Sequence, residues 1–386
     1  MRNDKHMVCI DVFSLDNRGD WLMLSSVLEQ VRTRLPGALV CVPRHVFDRD
    51  RIVYKSLGIL PLASRGNRKD SRQRPVERMR ALLGLRRRRI YPEEIDLVLL
   101  AAGFRFSDQF GPVPEKSIEH EIGFYRSFSK KGRRLILLPQ AFGPFETDCH
   151  ARRIRAICEM ADLVYAREKT SYDHVVRALG GSEKVCVAPD FTCLYKGDPC
   201  GLPFERDGYV VLVPNRQMIT KTKLAANYCD FMIGVARMLA SLGERIVFLN
   251  HESVPDDGLI DVFNASIDNA GAVVRNVSGG ECKTVLAGAK LVVTSRFHAL
   301  VSALTEGVPA LCTSWSHKYR ELVAELGCPE SCIDISDVAS AISKVKSALK
   351  SPAPYASPEG ARSSLRDKVV RMWDEVFGPF TQKEGL

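Results

Sequence analysis

Short apolar runs rich in β-branched residues recur along the first half of the chain at 7–13, 96–102, 135–139, 163–166 and 185–187. They return in the second half at 209–213, 245–249, 272–274, 290–294 and 310–313. Between most of them lie ten or more residues with apolar side chains at helical spacing, among them 21–35, 150–160, 170–179, 228–242 and 299–305. Short, continuously apolar runs read as strands buried on both faces, and strand–helix–strand repetition places such strands in parallel sheets covered by helices. An α/β fold is the expectation.

The interval Lys196–Gly208 (KGDPCGLPFERDG) is rich in Gly, Pro and charge and has no periodicity, so it divides the chain into two Rossmann-like halves, 1–198 and 206–350. A last helix near 358–377 follows the Pro-rich SPAPYASP and is expected to pack back on the first half. Two Rossmann-like domains facing a cleft form a GT-B-like arrangement. Ligands of open α/β sheets sit beyond the carboxyl ends of the strands, so the residues just after each strand are the ones to weigh.

A length of 386 residues suits two domains, and 45% hydrophobic with 26% charged residues is ordinary for a globular protein. No apolar run approaches the eighteen residues of a membrane span. The N-terminus shows no secretory pattern, and the twelve cysteines are scattered without a CxxC pair, so a cytoplasmic protein with reduced thiols and no metal site is expected. The net charge of +9 sits in one place: Arg65–Arg89 holds eleven Lys and Arg against Asp70 and Glu77. The rest of the chain is formally neutral, and the basic segment lacks aromatic residues for stacking bases, so nucleic acid is not an expected partner. Val76, Met79, Leu82 and Leu83 recur among its arginines at helical spacing, which suits an anionic membrane face as well as it suits a solvated insertion.

Candidate chemistry concentrates in LVVTSRFHALVSALTEGVPALCTSWSHKYRELVAEL, residues 291–326. Its Thr294, Ser295, Arg296 and His298 fall where a helix start would offer free N–H groups to an anion, with Arg296 and His298 two apart in what reads as extended chain. Ser295 as a simple cap and His298 as a boundary residue are the bland alternatives. A second cationic elbow follows at His317–Lys318, and Arg167 stands after the run 163–166. In LDNRGDWLML, Gly19 permits close backbone approach, and Asp20 suits either a helix cap or a sugar hydroxyl.

These pieces resemble the polysaccharide pyruvyltransferase family: Asn-x-Gly-Asp at Asn17–Asp20, PQAFGPF at Pro139–Phe145, ADLVYAREKTS at Ala161–Ser171, Pro189-Asp190, SRFHALVSALTEGVPAL at Ser295–Leu311 and WSHK at Trp315–Lys318. They occur in the family's order over about residues 10–330. The resemblance implies a metal-independent, cofactor-free GT-B-like enzyme of exopolysaccharide biosynthesis. Such an enzyme moves a pyruvyl group from phosphoenolpyruvate to a sugar as a ketal and releases phosphate. By the same matching, Arg167, Arg296, Lys318 and Ser295 are expected at the donor, His298 as the acid, and Asn17, Gly19 and Asp20 at the acceptor, a glycan either free or lipid-linked. Lipid linkage would bring the protein to the inner face of the membrane. The chain departs from the family at Ala101-Ala102-Gly103-Phe104, where a Gly-rich turn is usual, and at Trp315, where Tyr is frequent.

The rival reading is a GT-B glycosyltransferase with a nucleotide-sugar donor. Many retaining members place Glu four residues before the Gly of the Gly-Val-Pro turn; here that position is Ala303, and Glu306 abuts Gly307 directly.

Overall fold

The computed structural model describes residues 6–63, 73–77, 79–80, 83, 85, 87–128, 133–201, 208–314 and 316–381, with 253–255 described by backbone alone. Much of the basic segment 65–89, part of the 196–208 linker and Trp315 lie outside the described residues. Within the segment, Val76, Met79, Leu83 and Leu85 are exposed, while Arg87 donates to Glu94 at 2.6 Å.

The chain forms two compact units. The first comprises residues 1–15, 26–189 and 371–386, and is built on strands β1 (Met7–Asp11), β2 (Leu39–Val42), β3 (Leu60–Pro61), β4 (Leu97–Leu100), β5 (Arg134–Gln140), β6 (Leu163–Ala166) and β7 (Val185–Val187). All pairings are parallel, in the order β3-β2-β1-β4-β5-β6-β7. β2 and β3 escaped the pattern reading: Leu60–Pro61 is only two residues long, and Leu39–Val42, as long as β6, follows closely on the helix Arg18–Arg34. Ile154 and Ile157 from the helix Asp148–Met160 pack with Val98, Leu100, Leu135 and Leu137 of the sheet.

The second unit comprises residues 16–25 and 190–370, with strands β8 (Tyr209–Val213), β9 (Arg245–Leu249), β10 (Ala272–Val274), β11 (Leu291–Thr294) and β12 (Ala310–Cys312). These are again wholly parallel, in the order β10-β9-β8-β11-β12. Phe231, Met232, Val235 and Leu239 project at i, i+1, i+4 and i+8 from the helix Ala225–Ser241 onto Leu212, Phe248, Val293 and Leu311. Each large side chain buried this way is worth about 1.5–3 kcal/mol relative to its exposed state.

Residues 16–25 belong to the second unit although the chain around them belongs to the first. The cause is local. The Arg18 amide donates to the His251 carbonyl at 3.0 Å, Asn17 bridges Glu252 in antiparallel fashion, and a side chain at Gly279 would overlap the Arg18 carbonyl and the Leu22 amide. The helix Glu359–Thr381 likewise divides. Arg366 donates to the Thr305 carbonyl at 2.7 Å in the second unit, whereas Glu375 accepts from the Tyr165 hydroxyl at 2.6 Å in the first. Among the described residues, no helix is long and apolar enough to cross a membrane.

Candidate functional site

The carboxyl ends of β8, β9, β11 and β12 converge in the second unit. β11 ends at Thr294, whose hydroxyl accepts the Arg296 amide at 2.9 Å, and a helix begins at once, Phe297–Thr305. His298 is therefore the second residue of a helix and not part of an extended strand end, which corrects the alternating geometry expected for Arg296 and His298. The turn begins early because Arg296, with φ −107° and ψ 126°, is itself the N-cap residue.

Arg296 is buried, at 7% exposure, and its guanidinium is fixed by two carboxylates. Nε donates to Asp256 Oδ2 at 3.0 Å, and Nη2 contacts both Asp256 and Glu252. Burial opposes the cation, but Asp256 and Glu252 outweigh it and its pKa is raised. Asp256 shows the converse: burial raises its pKa against the pull of Arg296 and of the Arg216 amide, which donates to Oδ1 at 3.0 Å.

His298 is held on two edges. Nε2 lies 3.4 Å from Asp190 Oδ2, and Gly19 lies so close to the other edge that a Cβ there would overlap Nδ1 and Cγ of the ring. Gly19 is placed by Asn17, whose Oδ1 accepts the Gly19 amide at 2.9 Å and so caps the helix Arg18–Arg34. That leaves Asp20 inside the first turn, 8% exposed, and the cap role falls to Asn17.

Lys318 opens the helix Lys318–Glu325 with its Nζ 5.4 Å from the Phe297 ring and 5.7 Å from the Tyr319 ring, distances at which a cation gains from the aromatic quadrupole. Ser295 points away from this chemistry. Its hydroxyl bonds Tyr228 at 3.0 Å and Thr313 at 2.8 Å, and its carbonyl accepts from Asn215 and Tyr319, both at 2.7 Å, so it ties β11 to the loops after β8 and β12. The second unit thus brings together Asn17, Gly19, Arg296 and His298, with Lys318 one ring away. Arg167 stands in the first unit, buried after β6, with Nε 3.6 Å from Glu168 Oε2. Its amide donates to the carbonyl of Gln140, the last residue of β5.

Several residues with no role assigned from the sequence belong to these sites. Asp190 and Asp256 are separated in sequence from the groups they hold, and no local pattern announces the pairing. Gln140 is fully buried with neither side-chain amide atom hydrogen-bonded to a described residue; its place at a strand end within PQAFGPF was the available signal. His251, following β9, is 3% exposed, and its Nδ1 makes no hydrogen bond to a described residue. Burial, then the charges of Arg296, His298 and Arg18, holds its pKa well below 6.5. Among the described residues, no group of three metal-ligating side chains is found.

Two parallel α/β units of this kind define a GT-B-type fold, and solved structures of that type align along nearly the whole chain. A UDP-N-acetylglucosamine 2-epimerase, described as putative, from Listeria monocytogenes aligns with TM-score 0.61 and 12% identity over 98% of this chain and 97% of its own. The Neisseria meningitidis UDP-GlcNAc 2-epimerase, solved bound to UDP-GlcNAc, aligns at 0.57 and 10% over 95% and 100%. A glycosyltransferase from Rickettsia africae aligns at 0.52 and 11% over 96% and 98%. Such identities speak for the fold alone. The polysaccharide pyruvyl transferase family matches residues 17–317, most of the chain, and the protein belongs to that family. No curated protein matches its sequence.

Two outcomes follow from the site's geometry. Gly19→Ala must displace the His298 ring or the turn at Asn17, and is expected to cost about 1–3 kcal/mol in urea unfolding with a shifted His298 ring signal in NMR. The second concerns pH. His251 stays neutral when folded but takes a proton near pH 6.5 when unfolded, so it contributes nothing above that pH and lowers stability below it, by at most about 1.4 kcal/mol per pH unit. Urea midpoints measured from pH 7 to pH 5 should fall less steeply for His251→Gln than for the parent.

Proposed function

We propose that the protein transfers a pyruvyl group from phosphoenolpyruvate to two hydroxyls of a sugar, forming a ketal and releasing phosphate. The observation that carries this reading is the elbow after β11, where a carboxylate-fixed Arg296 and an edge-held His298 stand at one helix start. Phosphoenolpyruvate presents a carboxylate and a phosphate on a small frame. A guanidinium fork, a lysine and helix N–H groups are suited to both.

In this scheme protonated His298 gives its proton to the donor's methylene carbon, and the adjacent carbon becomes an oxocarbenium-like centre. One sugar hydroxyl adds to that centre and yields its proton back to the imidazole. The second hydroxyl displaces phosphate, and its proton leaves with the phosphate. Arg296 and Lys318 hold the donor, Asn17, Gly19 and Asp20 serve the acceptor, and Arg167 joins the donor set on the strength of the family match alone. Ser295 contributes by fixing the elbow, since its hydroxyl is engaged by Tyr228 and Thr313.

Calorimetric titration with phosphoenolpyruvate, beside UDP and GDP, tests the reading. Phosphoenolpyruvate is expected to bind, and Arg296→Ala and Arg167→Ala each to weaken it by about 1.5–3 kcal/mol. His298→Ala should retain donor binding while turnover, read as phosphate release, drops about 10²- to 10⁴-fold. Nucleotide binding without phosphoenolpyruvate binding would instead support a nucleotide-sugar enzyme, the chemistry named for the Neisseria protein.

The reading extends to a lipid-linked acceptor met at an anionic membrane through the basic segment. Four exposed apolar side chains, Val76, Met79, Leu83 and Leu85, accompany its cations. Vesicles containing phosphatidylglycerol should bind the parent at low salt, and a variant with Arg72, Arg86 and Arg88 changed to Gln should bind measurably less. Equal binding of the two would remove the membrane from the proposal.

A further inference from the structure

Lys283 is a lysine with no exposed surface, on the helix Gly279–Ala287. Burying an ammonium is costly unless every donor is used and a counter-charge is near, so its neighbours carry information. Nζ donates to the Thr192 carbonyl at 2.9 Å and lies 3.5 Å from Glu306, the residue that ends the His298 helix. Thr192 in turn holds Asp190: its amide and its hydroxyl reach Asp190 Oδ1 at 3.0 and 2.5 Å. The other carboxylate oxygen of Asp190 is the one 3.4 Å from His298 Nε2.

We infer that Lys283 is a positioning residue for His298, acting through the short segment Phe191–Leu194 that presents Asp190 to the imidazole. One ammonium fastens both ends of the arrangement, the carbonyl behind Asp190 and the carboxylate at the far end of the helix that carries His298. The same contact explains Glu306. It is engaged within the protein by Lys283 and so does not stand free for a nucleotide ribose. Burial lowers the lysine's pKa against the pull of Glu306.

The inference rests on the proposed reading for its consequence, since an imidazole that must deliver a proton needs a fixed ring and a fixed partner. The charged and titratable groups about His298 are Asp190, Arg296 on its own elbow, His251 after β9, and Lys318 over the Phe297 ring that abuts it. Those about Lys283 are Glu306, Asp190 and Cys193. Loss of the lysine therefore has two opposite effects. Removing a nearby positive charge by itself favours protonated His298, whereas releasing Asp190 disfavours it.

The sign separates positioning from charge. In the full-length ligand-free protein, labelled at histidine and with the His298 signal assigned by its loss in His298→Gln, NMR titration gives the ring's pH midpoint. Asp190→Asn should lower it by about 1 unit. Lys283→Met should lower it too, and the double variant should go no lower than Asp190→Asn alone. Lys283→Gln, which keeps a donor for the Thr192 carbonyl but no charge, should match the parent or lie above it. A midpoint unchanged or raised in Lys283→Met, or lowered in Lys283→Gln, overturns the inference. Should Lys283→Met not fold, Lys283→Gln and Thr192→Val decide, with Thr192→Val expected to lower the midpoint and an unchanged value overturning it. These readouts contain no phosphoenolpyruvate, so failure of the proposed reaction leaves them intact and is seen separately in the calorimetry.

Discussion

The second unit's site depends on the burial of one guanidinium. Arg296 could not remain charged at 7% exposure without partners, and its two carboxylates come from one segment after β9. Each also fixes something else. Asp256 accepts the Arg216 amide from the loop after β8, and Glu252 is the residue that bridges Asn17. The Arg296 cluster therefore sets the entry of the helix Arg18–Arg34, and with it Gly19 against the His298 ring. Removing one member of such a buried cluster leaves an uncompensated charge, so its parts hold together or fail together.

The same arrangement gives each buried cation a counter-charge. Arg296 has two carboxylates, His298 has Asp190, and Lys283 has Glu306. The cations of this elbow therefore have positions already fixed by counter-charges. Such an arrangement is preorganised, with side-chain geometry set before anything binds. The polar bonds of Ser295 to Tyr228 and Thr313 supply the rigid backing, because a buried hydroxyl pair between adjacent loops holds only where both loops are in register.

The fold class was legible in the sequence because strands such as Tyr209–Val213 and Arg245–Leu249 are buried on both faces and therefore continuously apolar. β3 was not, since two residues carry too little pattern. Within the site, the Ser295-Arg296-x-His298 elbow and the Asn17-x-Gly19-Asp20 turn were recognisable as short motifs whose residue types state their chemistry. Their meeting was not recognisable, for it comes from an antiparallel bridge between residues 235 positions apart, Asn17 and Glu252.

By itself the sequence determined the parallel α/β architecture, the family, and the identity of the cationic and imidazole groups, because these depend on local periodicity and on side-chain chemistry. Tertiary structure decided which carboxylate serves which cation. Asp256 and Glu252 for Arg296, Asp190 for His298 and Glu306 for Lys283 are pairings fixed by where parallel strands end. It also decided that Asn17 caps and that Ser295 braces. The physical reason is that a charge's partner is chosen by distance in space, and a parallel sheet joined by helical crossovers brings together strand ends that lie far apart along the chain.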